Sequence, residues 1–253
     1  MHWQIVNAVT LLVVLAANGM AGSGALSGES IGVVANRYPS YFLPAGWVFG
    51  IWSLIYLWLL AFTVYQALPA QRRSGFVERV GPWWLVNGAL NVGWVVAFSF
   101  SLFGPAMALI VALLVCLIVM GERLGAHRPG VSLADRAFGA WPFGLYLAWV
   151  SVAVIANAAQ YLTYLGWGGW GVPDRIWSVV MMAAATALGL GMVIRRGVWL
   201  YPIVVGWALV GIADQYAGDA LIVRTAWAMT ALGLLGLALV TGVRRRGGAA
   251  PPP

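Results

Sequence analysis

The 253-residue chain contains one cysteine, two histidines and seven acidic residues, and all fourteen of its basic residues are arginines. A single thiol, Cys116, excludes an internal disulfide, and His2 and His127 lie too far apart in sequence to suggest a metal centre. No Ser-His-Asp, Cys-His, paired-carboxylate or metal-ligand arrangement is present, so there is no catalytic residue to nominate. Charged residues make up only 8% of the chain, against about 25% in a soluble domain, which is too little polar surface to face water. What fills the space is apolar. Hydrophobic residues reach 62% and there are fifteen tryptophans, the composition of an integral membrane protein whose first partner is the lipid bilayer. The formal charge of +7 would suggest nucleic acid only on a solvated basic face; in a membrane chain it reports topology, and no nucleic-acid partner is expected.

Apolar runs long enough to span a bilayer fall at residues 5–21, 47–67, 82–103, 105–120, 138–164, 176–194, 198–213 and 221–243. Unbroken runs such as 108–120 exclude an outer-membrane barrel, which needs short alternating segments. The expected fold class is all-α: a polytopic membrane helix bundle of about eight transmembrane helices. Eight crossings sort the charges sharply. Arg72, Arg73, Arg79, Arg123, Arg128, Arg136, Arg195, Arg196, Arg244, Arg245 and Arg246 share one face with Glu78, Glu122 and Asp135. The other face receives Arg37, Arg175 and Arg224 with Glu29, Asp174, Asp214 and Asp219. Arginine-rich loops stay inside, so both termini are expected on the cytoplasmic side of a bacterial-type inner membrane. The first run ends in Asn18-Gly19-Met20-Ala21-Gly22-Ser23, like a signal peptide, but no positive charge precedes it, and a retained span is expected. The loop 22–46, with Tyr38, Pro39, Tyr41, Phe42 and Pro44, reads as a lid packed on the bundle. The tail 247–253 reads as disordered.

Three segments carry more specific patterns. Pro44-Ala45-Gly46-Trp47-Val48-Phe49-Gly50-Ile51-Trp52-Ser53-Leu54-Ile55-Tyr56 opens the second span; Leu90-Asn91-Val92-Gly93-Trp94 with Phe98 lies in the third; Tyr146-Leu147-Ala148-Trp149 with Ala153 and Asn157 lies in the fifth. Together they resemble the signature motifs of the TspO/MBR family, the tryptophan-rich sensory proteins related to the translocator protein or peripheral benzodiazepine receptor. That signature has a second proline where this chain has Ala45 and a leucine where it has Ile55; Val152 and Ala156 are further departures. The resemblance covers residues 5–166 and implies a five-helix unit, domain 1–166, followed by a three-helix extension, 174–246, about which the motifs say nothing.

The same residues have a physical meaning. Asn91 and Asn157 sit in mid-span, where an unsatisfied amide costs several kcal/mol, so each must face the bundle interior. Asn91 and Trp94 are three apart, and Tyr146, Trp149, Ala153 and Asn157 step by three or four, so each set shares one helix face. Trp47, Trp83, Trp84, Trp167, Trp170 and Trp199 fit interfacial anchors, whereas Trp52, Trp94 and Trp149 lie deeper and fit a lining. With the resemblance added, the candidate ligand-binding residues are Trp47, Phe49, Trp52, Tyr56, Asn91, Trp94, Tyr146, Trp149 and Asn157. Residues 166–171 match G-x-G-x-x-G literally, but no strand precedes them and a dinucleotide site is discounted.

The resemblance implies a protein that binds an apolar planar small molecule, a porphyrin or haem-type tetrapyrrole or a sterol-like lipid, for sensing, regulation or transport. The residues themselves require no cofactor. One alternative is a porphyrin-degrading enzyme whose reactivity comes from ligand and light. Another is a structural accessory subunit or assembly factor, in which the bundle serves a homo-oligomer or a larger membrane complex and its amides only hold helices together.

Overall fold

The computed structural model describes residues 2–73, 76–125 and 132–247. His127, Arg128 and the tail positions 248–253 lie outside the described residues. Without water to satisfy backbone groups, an apolar run in lipid closes its hydrogen bonds within itself, and each of the eight runs becomes one long helix. These are α1 (His2–Ser23), α2 (Ile51–Ala67), α3 (Phe76–Ser99), α4 (Phe103–Leu124), α5 (Trp141–Tyr164), α6 (Asp174–Arg196), α7 (Leu200–Gln215) and α8 (Ala220–Gly247). Among the described residues, six of the spans are long and apolar enough to cross a membrane; α7, at 16 residues, is shorter, and α3 is broken near its start. Among the described residues there is no strand, and the chain is an all-α multi-pass membrane bundle.

The helix ends differ from the apolar runs where local chemistry intervenes. The run expected from 82 to 103 starts earlier, at Phe76, and is interrupted at Gly81 (φ 30°, ψ −123°). Pro82 disfavours helical backbone at the residue before it, and glycine is the residue that accepts the resulting φ. At the other end α3 stops at Ser99, Ser101 takes φ 59°, and Phe103 opens the next helix with Pro105 in its first turn, where the missing N–H has no helical partner to lose. The fifth span, expected from 138, opens with a π-helical stretch, Asp135–Ala140, before α5 proper.

The chain forms two compact units, Met1–Ser40 with Phe49–Gly168 and Tyr41–Val48 with Gly169–Pro253. In the first, α1 packs on α2 and α3, α2 on α5, α5 on α4 and α4 on α3, closing a ring of five helices. Every residue of α5 from Leu145 to Ala153 is buried. The α1–α3 crossing is close because position 88 is glycine: a Cβ there would overlap Thr10 Cγ2. In the second unit α6, α7 and α8 pack on one another.

The loop expected to form a single lid is divided between the units. In the first, Gln160 Nε2 on α5 donates to the carbonyls of Val34 and Ala35 at 3.1 and 3.2 Å, and Tyr38 packs edge-on against Phe103 and Tyr164. The remainder, Tyr41–Val48, belongs to the second unit.

A candidate ligand site of aromatic rings in the five-helix unit

The two helix faces singled out by spacing meet, and the start of the second span packs against both. On α2, Trp52 and Tyr56 are one turn apart and stack, centroids 5.5 Å apart and planes 20° apart. Trp52 also stacks on Trp94 of α3 at 5.9 Å, and meets Tyr146 and Trp149 of α5 edge-on at 5.7 and 6.2 Å. Phe49, just before α2, meets Trp149 edge-on at 6.1 Å. These offset and T-shaped geometries are the ones the ring quadrupole favours. Trp94, Tyr146 and Trp149 are buried, while Phe49, Trp52 and Tyr56 are half-buried, so α2 supplies the accessible edge of the cluster. The ring contacts continue from Trp94 through Phe98 to Phe103 and Tyr164.

The two candidate amides, Asn91 and Asn157, are bonded within the protein. Asn91 Nδ2 donates to Tyr146 OH at 2.7 Å, and its Oδ1 accepts from Asn18 Nδ2 of α1 at 2.8 Å. Asn157 Oδ1 accepts from Trp94 Nε1 at 3.2 Å and its Nδ2 donates to the Ala153 carbonyl at 2.9 Å. One buried donor in the cluster has no hydrogen-bond partner, the Trp149 indole Nε1. An indole N–H only donates, so Trp149 presents an unused donor inside a wall of rings.

Eight of the nine candidate residues therefore lie in the five-helix unit: Phe49, Trp52, Tyr56, Asn91, Trp94, Tyr146, Trp149 and Asn157. Trp47 belongs to the second unit, where its ring packs edge-on against Trp207 at 4.7 Å and its Nε1 donates to Asp214 Oδ2 at 2.8 Å. Trp84, expected as an interfacial anchor, is 3% exposed; its Nε1 donates to the Asn7 carbonyl at 2.9 Å and its ring packs on Phe62 and Phe143. It sits on the inward face of α3, and hydropathy alone does not distinguish that face from the outward one.

Asn18 was not among the expected site residues, yet it completes the Asn91 bond. A signal for it exists, because Asn7, Thr10, Val14 and Asn18 recur every three or four residues along α1. The same stripe carries Asn7, whose Nδ2 donates to Gln66 Oε1 at 2.8 Å. Among the described residues no group of three or more His, Cys, Asp or Glu side chains could hold a metal. The lone thiol, Cys116, is buried with Sγ 3.5 Å from the Trp83 carbonyl. The side chains that meet around Trp52 are all aromatic rings, with no histidine or cysteine among them.

A multi-pass helix bundle with a buried seam of stacked tryptophan and tyrosine is the class of protein that fold and site define. The chain belongs to the TSPO-like protein family, whose model matches residues 4–240. No curated protein and no solved structure matches it. The family match runs beyond residue 166, the end of the five-helix unit the resemblance implies, so the C-terminal helices expected to lie outside the family unit are inside it almost to their end.

Proposed function

We propose that this TSPO-like membrane protein binds an apolar planar ligand, a porphyrin or other tetrapyrrole or a sterol-like lipid, against the Trp52 ring cluster, for sensing, regulation or transport. The observation that carries the reading is the Trp149 Nε1 donor, buried and unpartnered among rings. A tetrapyrrole offers ring nitrogens and carboxylates as acceptors and a plane that stacks. Each stacked ring pair adds about 0.5–1.5 kcal/mol beyond area burial, and the half-buried Phe49, Trp52 and Tyr56 give such a plane an accessible edge. The arginine bias supports an orientation with both termini in the cytoplasm.

A second reading has its own support. The Asn18–Asn91–Tyr146 and Trp94–Asn157 bonds commit both amides of the seam between helices, which is what a bundle serving as an accessory or assembly element needs. Titrating purified protein with protoporphyrin IX and following tryptophan quenching separates the two. Saturable quenching in the micromolar range supports a ligand site. Linear, non-saturating quenching favours the accessory reading.

A further inference from the structure

None of the eight seam residues lies on α6, α7 or α8, yet these helices hold one part of the chain closely. The segment Tyr41–Val48, which contributes to no α-helix, is bonded to the C-terminal unit along its whole length. Ser178 Oγ on α6 donates to the Tyr41 carbonyl at 2.7 Å, and Tyr41 packs on Tyr216 at 5.0 Å. The Ala45 N–H donates to the Gly211 carbonyl on α7 at 3.0 Å, and Trp207 Nε1 donates to the Val48 carbonyl at 3.0 Å. Phe42, Leu43, Ala45 and Val48 are all buried. Position 211 must be glycine for this approach: a Cβ there would overlap Val48 Cγ2 and lie 3.3 Å from Pro44 Cβ. A connection merely passing the helices would leave its peptide groups to water; here three of them are satisfied by α6 and α7.

Ala45 stands where the signature motif has its second proline, and a proline there has no N–H to give Gly211. The departure from the motif and the glycine on α7 are thus two halves of one contact.

We propose that the C-terminal three-helix unit is an intramolecular docking surface whose partner is the strap Tyr41–Val48, with Ala45 and Gly211 as the contact that makes the strap fit. One peptide bond joins Val48, the last residue of the strap, to Phe49, the first ring of the seam. The proposal does not depend on what the seam binds.

Amide hydrogen exchange on the full chain in detergent or nanodiscs tests it. In Gly211→Ala the strap amides should exchange about tenfold faster or more while α6 and α8 keep their protection, since a docked segment that is released exchanges by local opening. Adding Val48→Ala, which removes the overlapping methyl, should restore protection. Ala45→Pro, which deletes only the donor, should speed exchange at 41–43 and 46–48 with Gly211 intact. Unchanged strap protection in both Gly211→Ala and Ala45→Pro overturns the proposal. So does a loss in Gly211→Ala that spreads equally over α6 and α8 and is not rescued by Val48→Ala.

Discussion

Asn91 and Tyr146 join α3 to α5 through a 2.7 Å hydrogen bond between side chains no more than 1% exposed. Interhelical bonds in membrane proteins average about 0.6 kcal/mol and reach about 1.7, because the unfolded chain in the membrane also finds partners. Two features put this one near the upper end. Neither partner has access to water, and Asn91 is committed on both sides, since its Oδ1 is held by Asn18. Tyr146→Phe removes one hydroxyl and its bond from Asn91 Nδ2, for a loss of about 1 kcal/mol. Asn91→Ala removes both bonds and opens a small space, for a loss of about 2–3 kcal/mol. Asn18 keeps its local bond to the Val14 carbonyl at 2.9 Å, so it adds little to that loss. The double-mutant cycle should return a coupling of about 1–1.7 kcal/mol, read from reversible unfolding in mixed micelles by tryptophan fluorescence. A coupling indistinguishable from zero, below about 0.3 kcal/mol, would refute the view that the mid-span amides tie the bundle together.

Three further outcomes follow from the geometry. Gly88→Ala drives a methyl into Thr10 Cγ2 and should destabilise the five-helix unit by about 1–3 kcal/mol; Thr10→Ser, which keeps the hydroxyl bond to Val6 and deletes that methyl, should recover most of the loss in the same unfolding assay. Cys116 is 3% exposed, so maleimide labelling of native protein should be slow and should accelerate in step with global unfolding; rapid labelling of folded protein would count against the α4 packing. A reporter fused after Arg246 should be active only if cytoplasmic, and a periplasmic signal would break the eight-helix topology.

The helices were legible because lipid leaves an apolar run one way to satisfy its backbone, and the eight runs give eight long helices whose ends shift where local chemistry acts, as at Gly81–Pro82 and the π-helical stretch Asp135–Ala140. The ring seam was legible because residues three or four apart share a face, which brought Trp94 and Asn91, and Tyr146 and Trp149, to one side. Which face turns inward is a tertiary matter. Trp84 reads like any belt tryptophan until α1 is packed against it, and its bond to the Asn7 carbonyl spans 77 residues of sequence. Trp47 is a candidate through the resemblance although its position reads as an interfacial anchor, and the boundary between units falls between it and Phe49. The strap's attachment could not be read at all, because its glycine, Gly211, lies more than 160 residues from the segment it admits.

The central claim, that the Trp52 cluster is a ligand site, is tested most directly by comparing protoporphyrin IX affinity in Trp52→Ala and Trp47→Ala. Trp52 touches four rings of the seam, whereas Trp47 is bonded to Asp214 and packed on Trp207. Loss of stacking on one ring pair or two predicts that Trp52→Ala weakens binding about tenfold, while Trp47→Ala leaves it within about twofold of the unaltered protein. Full affinity in Trp52→Ala, or a larger loss in Trp47→Ala, would contradict the assignment.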